Sequence, residues 1–217
     1  MGGTDRRTRA CIFDIGGVLS FAPRITDFEV FSRWEQATGL EHGEITRRAQ
    51  AAWQAGRTGG ISEEQFQRQL GENLSWSAQQ VKAFMDDFWK EYRGAPNTEL
   101  IAYLAGLRPR CRTALLSNSF AGARERQQEL NDITDLVVYS HEVGISKPDR
   151  RIFTMTCAWL GVPAMHAAFV DDIGLYVDAA RKLGMYGVLF VDNGQAMTEI
   201  DAWLKSRNQS ERCGKPT

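Results

Sequence analysis

Carboxylate side chains follow two apolar runs of this sequence. Asp14 comes directly after the run ACIF, and Gly16 and Gly17 follow it almost at once. Asp171 and Asp172 stand side by side after the run AAFV. Two adjacent carboxylates at the end of an apolar strand repel each other unless a cation lies between them, and hard oxygen ligands suit Mg²⁺. The three aspartates are therefore candidate ligands of a divalent cation.

A hydroxyl, an amide and a lysine are associated with two other apolar runs. Ser117 and Asn118 end the run TALLSN, and Lys147 lies in the segment GISKPD, beyond the run DLVVYS. The two glycines after Asp14 let the backbone turn sharply and bring amide N–H groups close to an anion. Each residue alone has an ordinary explanation as a helix cap, a turn residue or a surface charge. Their shared position, at a strand end or in the loop beyond it, favours one site for an anion and a cation.

The elements that must position these residues alternate along the chain. Five strand-length runs are almost continuously apolar, as expected for a parallel sheet that is covered on both faces. The runs are 10–15, 113–118, 135–140, 167–172 and 186–191, and helix-period stretches lie at 99–107, 122–130, 150–161, 177–185 and 196–206. This alternation predicts an α/β fold with a Rossmann-like, doubly wound parallel sheet. Ligands of such a sheet bind beyond the carboxyl ends of its strands, so we expect the candidate residues to converge there.

Residues 20–95 interrupt this alternation with four amphipathic helical segments, at 27–40, 44–56, 62–74 and 77–94. Within the third segment, Ser62 followed by two glutamates is typical of an N-cap and an acidic first turn. The last residues of the chain show no apolar periodicity. We therefore predict an α/β core of residues 8–19 and 96–207, a helical insertion of residues 20–95, and a disordered tail of residues 208–217.

Composition and charge exclude several classes of function. The chain of 217 residues is 43% hydrophobic and 24% charged, which is typical of a globular protein. Its net charge of −1, with Lys and Arg spread along the chain, gives no basis for nucleic acid as a partner. No run approaches the ~18 apolar residues of a membrane span, and the charged N-terminus lacks the apolar stretch of a signal peptide. We expect a cytoplasmic protein that does not bind membranes, while its oligomeric state stays open.

The cysteines lie far apart and form no CxxC pair. Such spacing favours buried, reduced thiols over metal ligands or disulfides. The residues concerned are Cys11, Cys111, Cys157 and Cys213.

Four ordered segments resemble the motifs of the haloacid dehalogenase-like (HAD) hydrolase superfamily. They are FDIGGVL, LLSNS, GISKPDRRIF and FVDDIGLYVDAARKLGM. The resemblance covers most of the chain, because the helical insertion is similar to the C1-type cap that members of the superfamily carry after the first motif. Within the superfamily, the sequence is similar to the N-terminal phosphatase domain of soluble epoxide hydrolase and to the α-glucose-1-phosphate phosphatase group.

The resemblance implies roles for particular residues of the first three motifs. Asp14 would be the nucleophile that attacks phosphorus and forms an aspartyl-phosphate, which divides one hard step into two easier ones. Lys147 would neutralise charge between this carboxylate and the phosphate. Ser117 would hydrogen-bond a phosphoryl oxygen with Asn118 beside it, and Gly17 would contribute to binding the substrate through its backbone.

The resemblance also implies a magnesium cofactor. Asp171 and Asp172 would hold Mg²⁺ together with the Asp14 carboxylate and the backbone carbonyl of Gly16. A carboxylate that approaches a phosphate dianion meets strong repulsion, which the cation and Lys147 would convert into attraction. The expected function is Mg²⁺-dependent hydrolysis of a small phosphomonoester, with that small molecule as the partner.

Gly16 departs from the pattern of most phosphatases of the family. They carry a second Asp two residues after the nucleophile, which protonates the leaving group and then activates water. Glycine cannot titrate, so a general acid–base contribution of typically about 10²–10⁴ in rate is lost at this position. The α-glucose-1-phosphate phosphatase group has a similar glycine, which is compatible with activity.

Three explanations of Gly16 are open at this level. The substrate could have a leaving group that needs little protonation, such as a sugar 1-phosphate, an acyl phosphate or an aryl phosphate. A residue of the insertion could supply the proton, with Glu41, His42 and Glu44 as candidates, although we expect all three at the surface. The protein could instead bind a phosphorylated ligand or a partner without turnover. A dehalogenase is disfavoured, because that branch has a tyrosine near position 16 and lacks the paired carboxylates.

Other residues have mainly structural interpretations. Tyr176 replaces an asparagine that is common in relatives, which indicates a packing change or an altered contact with the active-site loop. We expect His141 and His166 to be structural, and Arg57 is a less favoured candidate for contact with the substrate. The tryptophans of the insertion are expected to form its core, and they are Trp34, Trp53, Trp76 and Trp89.

Overall fold

Five parallel strands form a single sheet in the computed structural model, which describes residues 8–210 and their side chains as far as residue 206. The strands are β1 (Ala10–Phe13), β2 (Arg112–Ser117), β3 (Leu136–Tyr139), β4 (Ala167–Asp171) and β5 (Tyr186–Leu189). Their order in the sheet is β3-β2-β1-β4-β5, and every neighbouring pair is parallel. The predicted strands and the α/β fold are confirmed, and the strand that Asp14 follows lies at the centre of the sheet.

Helices cover both faces of this sheet. Along the described residues, the helices of the protein are α1 (Glu29–Thr38), α2 (Glu44–Arg48), α3 (Gln50–Arg57), α4 (Glu63–Leu74), α5 (Ala78–Arg93), α6 (Thr98–Leu107), α7 (Ala123–Arg126), α8 (Gln128–Asn131), α9 (Ser140–Val143), α10 (Arg150–Leu160), α11 (Gly174–Lys182) and α12 (Asn193–Ser210). Those that pack on the strands include α6, α10, α11 and α12. Phe13 shares an apolar cluster with α6 and α12 on one face, whereas Ile12 shares another with α10 and α11. Burial on both faces explains why the strands are continuously apolar.

The helical insertion, residues 20–95, contains α1 to α5 around a core of aromatic rings. The Trp53 ring centroid lies 4.5 Å from that of Phe66 and 5.2 Å from that of Phe88. Trp34 and Trp76 pack with centroids 5.4 Å apart. Trp53, Trp76 and Trp89 are buried as expected, whereas Trp34 is partly buried and packs against this core.

Two predicted helical segments are each divided into two short helices. Ala49, with φ −95° and ψ 7°, separates α2 from α3, and Gln127, with φ −128° and ψ 31°, separates α7 from α8. The apolar period continues across both bends, so the pattern does not reveal them. The predicted N-cap is confirmed, because the Ser62 hydroxyl accepts a hydrogen bond from the backbone N–H of Gln65.

The last helix extends further than the sequence pattern indicates. Helix α12 includes residues 208–210, which we assign to the tail from sequence. The remainder of that tail, 211–217 with Cys213, lies outside the described residues, as do residues 1–7. Cys11, Cys111 and Cys157 are buried and form no disulfide, as expected. Across residues 8–210, no helix combines the length and apolar character that crossing a membrane requires.

The two connections between the insertion and the core run side by side. The Phe21 N–H donates to the Ala95 carbonyl at 2.7 Å, and the Asn97 N–H donates to the Leu19 carbonyl at 2.9 Å. The Asn97 side chain also donates to the Val18 carbonyl at 2.9 Å. The chain therefore leaves and re-enters the core at one place, shortly after β1.

Candidate active site

Three carboxylates meet at the carboxyl ends of two neighbouring strands. Asp14 follows β1, Asp171 is the last residue of β4, and Asp172 comes next. Phe13 pairs with Val170 in the sheet, so the residues that follow them lie side by side. One oxygen of each carboxylate lies within 4.8 Å of the corresponding oxygens of the other two. The structure thus brings together the three aspartates that the sequence identifies as candidate metal ligands.

Lys147 lies between two of these carboxylates. Its Nζ is 2.8 Å from Asp14 Oδ1 and 2.7 Å from Asp171 Oδ2, and its side chain is fully buried. Burial alone would lower the pKa of Lys147, but the two carboxylates outweigh this effect and hold the pKa above its ordinary value. The lysine is therefore a fixed cation beside Asp14.

Negative charge exceeds positive charge in this cluster. Burial raises the pKa of Asp14 to about 7 although Lys147 opposes the rise, and the Asp171 charge adds to it. Arg24 approaches Asp172 only at 4.0 Å and is largely exposed, so solvent screens its charge. Three carboxylates beside one buried lysine leave an excess of negative charge that a divalent cation would neutralise. The donor set, which consists of carboxylate oxygens, fits Mg²⁺.

The glycines after Asp14 have different structural environments. Gly17 has a φ of +78°, and a Cβ there would lie 2.7 Å from Asp172 Cγ, so the turn and the carboxylate both require glycine. The Gly17 N–H donates to the Ser20 carbonyl at 2.9 Å, so this amide is engaged within the turn and is not free to bind a phosphate. Gly16 is exposed, and a Cβ there would meet no atom within 4 Å. Packing therefore does not explain the glycine at position 16.

Asn118 orients the loop that carries Lys147. The Lys147 N–H donates to Asn118 Oδ1 at 2.7 Å, and Asn118 Nδ2 donates to the Lys147 carbonyl at 2.9 Å. Asn118 Nδ2 also donates to the Tyr176 hydroxyl at 3.2 Å, and the Tyr176 ring centroid lies 5.1 Å from Lys147 Nζ. Tyr176 also packs against the apolar cluster that contains Ile12, so the structure shows both the packing role and the contact with the loop that we consider from sequence.

The carboxylates open onto a cleft of about 310 Å³. Six of the eight residues that we assign to the site line this cleft. They are Asp14, Gly16, Gly17, Ser117, Asn118 and Asp172. The other two, Lys147 and Asp171, are buried beneath them. Residues that the sequence analysis does not identify also line the cleft, and they include Arg24, Tyr92, Ser119 and Gln127. The spacing of these four residues in the sequence does not indicate a shared site, because their positions depend on how the loops and the insertion pack.

A second cavity of about 850 Å³ adjoins the cleft and is lined by the insertion. Four residues line both spaces, and they are Ile25, Thr26, Phe28 and Arg57. Arg57 therefore stands where the two spaces meet, which supports its candidacy for contact with a ligand.

The three proton donors suggested for the insertion do not line the cleft. Glu41 and His42 are exposed, as expected. Glu44 is buried, so its expected surface position is wrong. Its carboxylate accepts a hydrogen bond from the Glu41 N–H at 2.7 Å and contacts Arg48 at 2.5 Å. Glu44 thus closes the turn that begins α2.

A ring of the core anchors the insertion beside the cleft. Phe120, which lines the cleft, packs against Trp53 and Phe66 with ring centroids 5.2 and 4.6 Å apart. Gly56 lies so close to this ring that a Cβ would be 2.1 Å from Phe120 Cε2. The Gly56 carbonyl also accepts a hydrogen bond from the Ala121 N–H at 3.3 Å. Residues 20–95 therefore pack directly against Phe120 and Ala121 beside the cleft.

Comparison with known proteins agrees with this geometry. The family model of haloacid dehalogenase-like hydrolases matches residues 8–184. The chain belongs to this family. Among curated HAD relatives, bifunctional epoxide hydrolase 2 of Sus scrofa is 26% identical over 89% of this chain and 38% of its own length. A phosphoserine phosphatase of Thermus thermophilus is 35% identical over 67% of this chain and 59% of its own length. The chain thus spans less than two thirds of either curated relative.

Solved structures share the HAD fold over more of their length. A HAD-like hydrolase of Porphyromonas gingivalis matches with a TM-score of 0.71 at 25% identity, covering 91% of this chain and 98% of that one. A HAD-family enzyme of Bacteroides thetaiotaomicron, in complex with magnesium and inorganic phosphate, matches with a TM-score of 0.60 at 20% identity, covering 82% of this chain and 91% of that one. These matches confirm the HAD-like fold of this hydrolase family member.

Proposed function

We propose that this HAD-family protein is a Mg²⁺-dependent phosphatase that hydrolyses a small phosphomonoester through a phosphoenzyme on Asp14. The observation that carries the proposal is the buried Lys147 ammonium between Asp14 and Asp171, with Asp172 completing a carboxylate cluster at the cleft. This arrangement combines a nucleophile, a fixed cation and oxygen ligands for a metal. The Thermus phosphatase and the magnesium and phosphate bound by the Bacteroides enzyme support the same chemistry.

The chain supplies the nucleophile and its electrostatic partner. The Asp14 carboxylate attacks phosphorus, and an aspartyl-phosphate forms as the bond to the leaving oxygen breaks. Lys147 Nζ, 2.8 Å from Asp14 Oδ1, offsets the negative charge that builds between this carboxylate and the phosphoryl oxygens. The Ser117 hydroxyl donates a hydrogen bond to a phosphoryl oxygen from the floor of the cleft. Asn118 acts on the reaction through its two bonds to the Lys147 backbone.

Asp14, Asp171 and Asp172 would hold the magnesium ion, with the backbone carbonyl of Gly16 as a further ligand. The ion supplies positive charge that stabilises the negative charge of the transferring phosphoryl group. The Ile173 N–H donates to Asp171 Oδ1 at 2.8 Å, and Lys147 holds the other oxygen, so this carboxylate is oriented in advance. The absence of a side chain at position 17 leaves room for the Asp172 carboxylate.

We assign the insertion, residues 20–95, the role of a cap over a core of residues 8–19 and 96–207. The paired connections after β1 and the packing of Gly56 on Phe120 support this division. A closed cap excludes water from the reacting phosphate, and its opening releases the product. The cavity of about 850 Å³ in the insertion offers space for the organic part of a substrate.

The glycine at position 16 sets the expected order of substrates. With no carboxyl group there to protonate the leaving oxygen, aryl, acyl and sugar 1-phosphates should react faster than alkyl phosphates. The same glycine supports a second candidate function, which is binding of a phosphorylated ligand without turnover. A Cβ at position 16 would meet no atom within 4 Å, so packing does not require glycine there.

Hydrolysis of para-nitrophenyl phosphate distinguishes these two functions, because its aryl leaving group needs little protonation. We expect the protein to hydrolyse this substrate only in the presence of Mg²⁺. The variant Asp14→Asn should be inactive. Absence of hydrolysis, combined with binding of beryllofluoride in the presence of Mg²⁺, would support the binding function. Absence of both hydrolysis and binding would contradict both candidates.

A further inference from the structure

A serine and a histidine form a hydrogen-bonded pair at the cleft. Ser119 Oγ lies 2.7 Å from His141 Nδ1. Ser119 is buried and lines the same cleft as Asp14 and Gly16. His141 lies on the short helix α9, directly after β3. The pair thus links a hydroxyl to a titratable imidazole in a cleft that lacks the acid–base carboxyl group at position 16.

Contacts from the core and from the insertion hold this pair in place. The Ser119 N–H donates to Ser140 Oγ at 2.9 Å, and the Ser140 hydroxyl lies 3.2 Å from the Arg57 carbonyl. Gly59 of the insertion packs so closely on the His141 carbonyl that a Cβ would lie 1.8 Å from the oxygen. Ser140 and His141, which are consecutive residues of α9, therefore contact the backbone of the insertion. The position of the Ser119–His141 pair thus depends on how the insertion packs against the core.

The surroundings of His141 favour the neutral imidazole. Burial lowers the pKa of His141 and Arg124 acts in the same direction, whereas Glu142 on α9 and Glu125 on α7 oppose them. Arg124 is itself bound to Glu142 at 2.7 Å, which reduces the effect of both charges. Helix α3 and strand β3 pack against α9, and their titratable residues are Arg57, which lines the cleft, and Tyr139, with its ring centroid 5.8 Å from the imidazole. The imidazole is thus able to accept a proton at neutral pH.

We propose that Ser119 and His141 form a proton relay that replaces the carboxyl group missing at Gly16. The inference rests on the proposed phosphatase function, because it assigns the proton transfers of that reaction. The Ser119 hydroxyl is the group that contacts the reacting oxygens, and His141 acts through it. The relay becomes complete when the insertion closes, since Gly59 and the Arg57 carbonyl hold α9 from that side.

The proton transfers balance over one turnover. In the first step the bond between Asp14 and phosphorus forms and the bond to the leaving oxygen breaks. That oxygen takes the Ser119 proton while Ser119 takes a proton from the protonated His141 imidazole. In the second step a water oxygen attacks phosphorus, the bond to Asp14 breaks, and a water proton passes through Ser119 to the neutral imidazole. The products are the alcohol and inorganic phosphate, and both relay residues return to their starting states.

The relay has a characteristic pH dependence. The first step uses the His141 imidazolium, which is the minor form at pH 7 because burial holds the pKa below its ordinary value of about 6.5. The ratio of alkyl to aryl phosphate hydrolysis rates should therefore rise as the pH falls toward that pKa. Groups of the site that act on both substrates alike cancel in this ratio, and the different second ionisations of the two phosphates contribute equally in the unaltered protein and in a His141 variant.

His141→Asn tests the relay, because the asparagine amide can take the place of Nδ1 in the bond to Ser119 but cannot titrate. We expect hydrolysis of ethyl phosphate with Mg²⁺ to fall about 10²-fold, at the lower end of the range for general acid–base catalysis. Hydrolysis of para-nitrophenyl phosphate should change little, and the rate ratio should lose the rise at low pH that exceeds the contribution of the substrates' own ionisation. The matched control is His166→Asn, at the end of the turn Ala164–His166 that precedes β4, which should preserve both rates and the pH dependence.

Adding a carboxyl group provides the converse test. Gly16→Asp combined with His141→Asn should recover hydrolysis of ethyl phosphate, because Gly16 lines the cleft and a Cβ there would meet no atom within 4 Å. The relay is wrong if His141→Asn leaves the ethyl phosphate rate unchanged, if it lowers both rates equally, or if the double variant shows no recovery. Each of these outcomes leaves the phosphatase proposal standing, provided that hydrolysis of para-nitrophenyl phosphate still requires Mg²⁺ and Asp14. If the unaltered protein hydrolyses neither substrate, the phosphatase proposal fails and the relay fails with it.

Discussion

The side chain of Asn118 and the backbone of Lys147 exchange two hydrogen bonds although the residues lie 29 positions apart. Asn118 follows β2 and Lys147 lies beyond β3, so these bonds tie together the loops after two paired strands. The Lys147 ammonium group is thereby held between Asp14 and Asp171. Asn118, which the sequence suggests as a substrate ligand, therefore positions Lys147, the lysine that we propose to act beside the nucleophile.

Asn118→Asp should remove one of the two hydrogen bonds between residue 118 and the Lys147 backbone. A carboxylate still accepts the Lys147 N–H, but it cannot donate to the Lys147 carbonyl, so two acceptors face each other. We expect the free energy of unfolding in urea to fall by about 1–3 kcal/mol and kcat for para-nitrophenyl phosphate to fall with it. Tyr176→Phe is the control, because it removes only the 3.2 Å bond from Asn118 and should cost at most about 1.5 kcal/mol. Equal losses of kcat in the two variants would contradict a special role for the link to Lys147.

Gly17→Ala should weaken binding of magnesium. The change puts a side chain at a φ of +78° and its Cβ 2.7 Å from Asp172 Cγ, so the carboxylate must move. The backbone strain alone costs about 1–2 kcal/mol. We expect half-maximal hydrolysis of para-nitrophenyl phosphate to need about tenfold more Mg²⁺, as for other changes that displace a metal ligand.

Gly184→Ala is the matched control for this prediction. Gly184 has a φ of +85°, but a Cβ there would meet no atom within 4 Å, so only the backbone strain is shared. The Mg²⁺ requirement of this variant should equal that of the unaltered protein. A similar requirement in both alanine variants would show that contact with Asp172 is not what demands glycine at position 17.

Gly56→Ala should loosen the contact between the insertion and the core. Its Cβ would lie 2.1 Å from the Phe120 ring, and overpacking of this kind costs about 1–3 kcal/mol. Gly106→Ala, at an exposed position in α6 with no atom within 4 Å, should instead stabilise the protein by about 0.5–1 kcal/mol. Urea unfolding measures both changes, and limited proteolysis reports whether the insertion opens. Equal free energies of unfolding for the two variants would contradict the close packing of Gly56 on Phe120.

His141 should reduce stability in acid. Burial lowers its pKa, so the folded protein binds this proton more weakly than the unfolded chain, in which histidine titrates near about 6.5. The resulting stabilisation is present above that pH and is lost as the pH falls through the lower pKa of the folded state. The difference in unfolding free energy between the unaltered protein and His141→Asn should therefore shrink as the pH is lowered from neutral. A difference that is constant with pH would mean that the imidazole titrates alike in the folded and unfolded states.

The sequence by itself determines the strands of this protein and the positions of the site residues along them. Continuous apolar runs identify strands that are covered on both faces, and the structure confirms all five. A polar residue ends such a run where the strand leaves the core, which is why Asp14, Ser117 and Asp171 stand at the expected edge of the sheet. The rule that parallel strands present their carboxyl ends at one edge then predicts convergence without any knowledge of side-chain contacts.

Only the tertiary structure decides which side chain lies against which. The two bonds between Asn118 and Lys147, the burial of Glu44 and the bond between Ser119 and His141 have no counterpart in apolar periodicity. A sequence pattern records whether a residue is covered, because transfer of its side chain out of water has a characteristic free energy. It does not record the covering neighbour, because that neighbour is set by the simultaneous packing of elements that are distant in the chain.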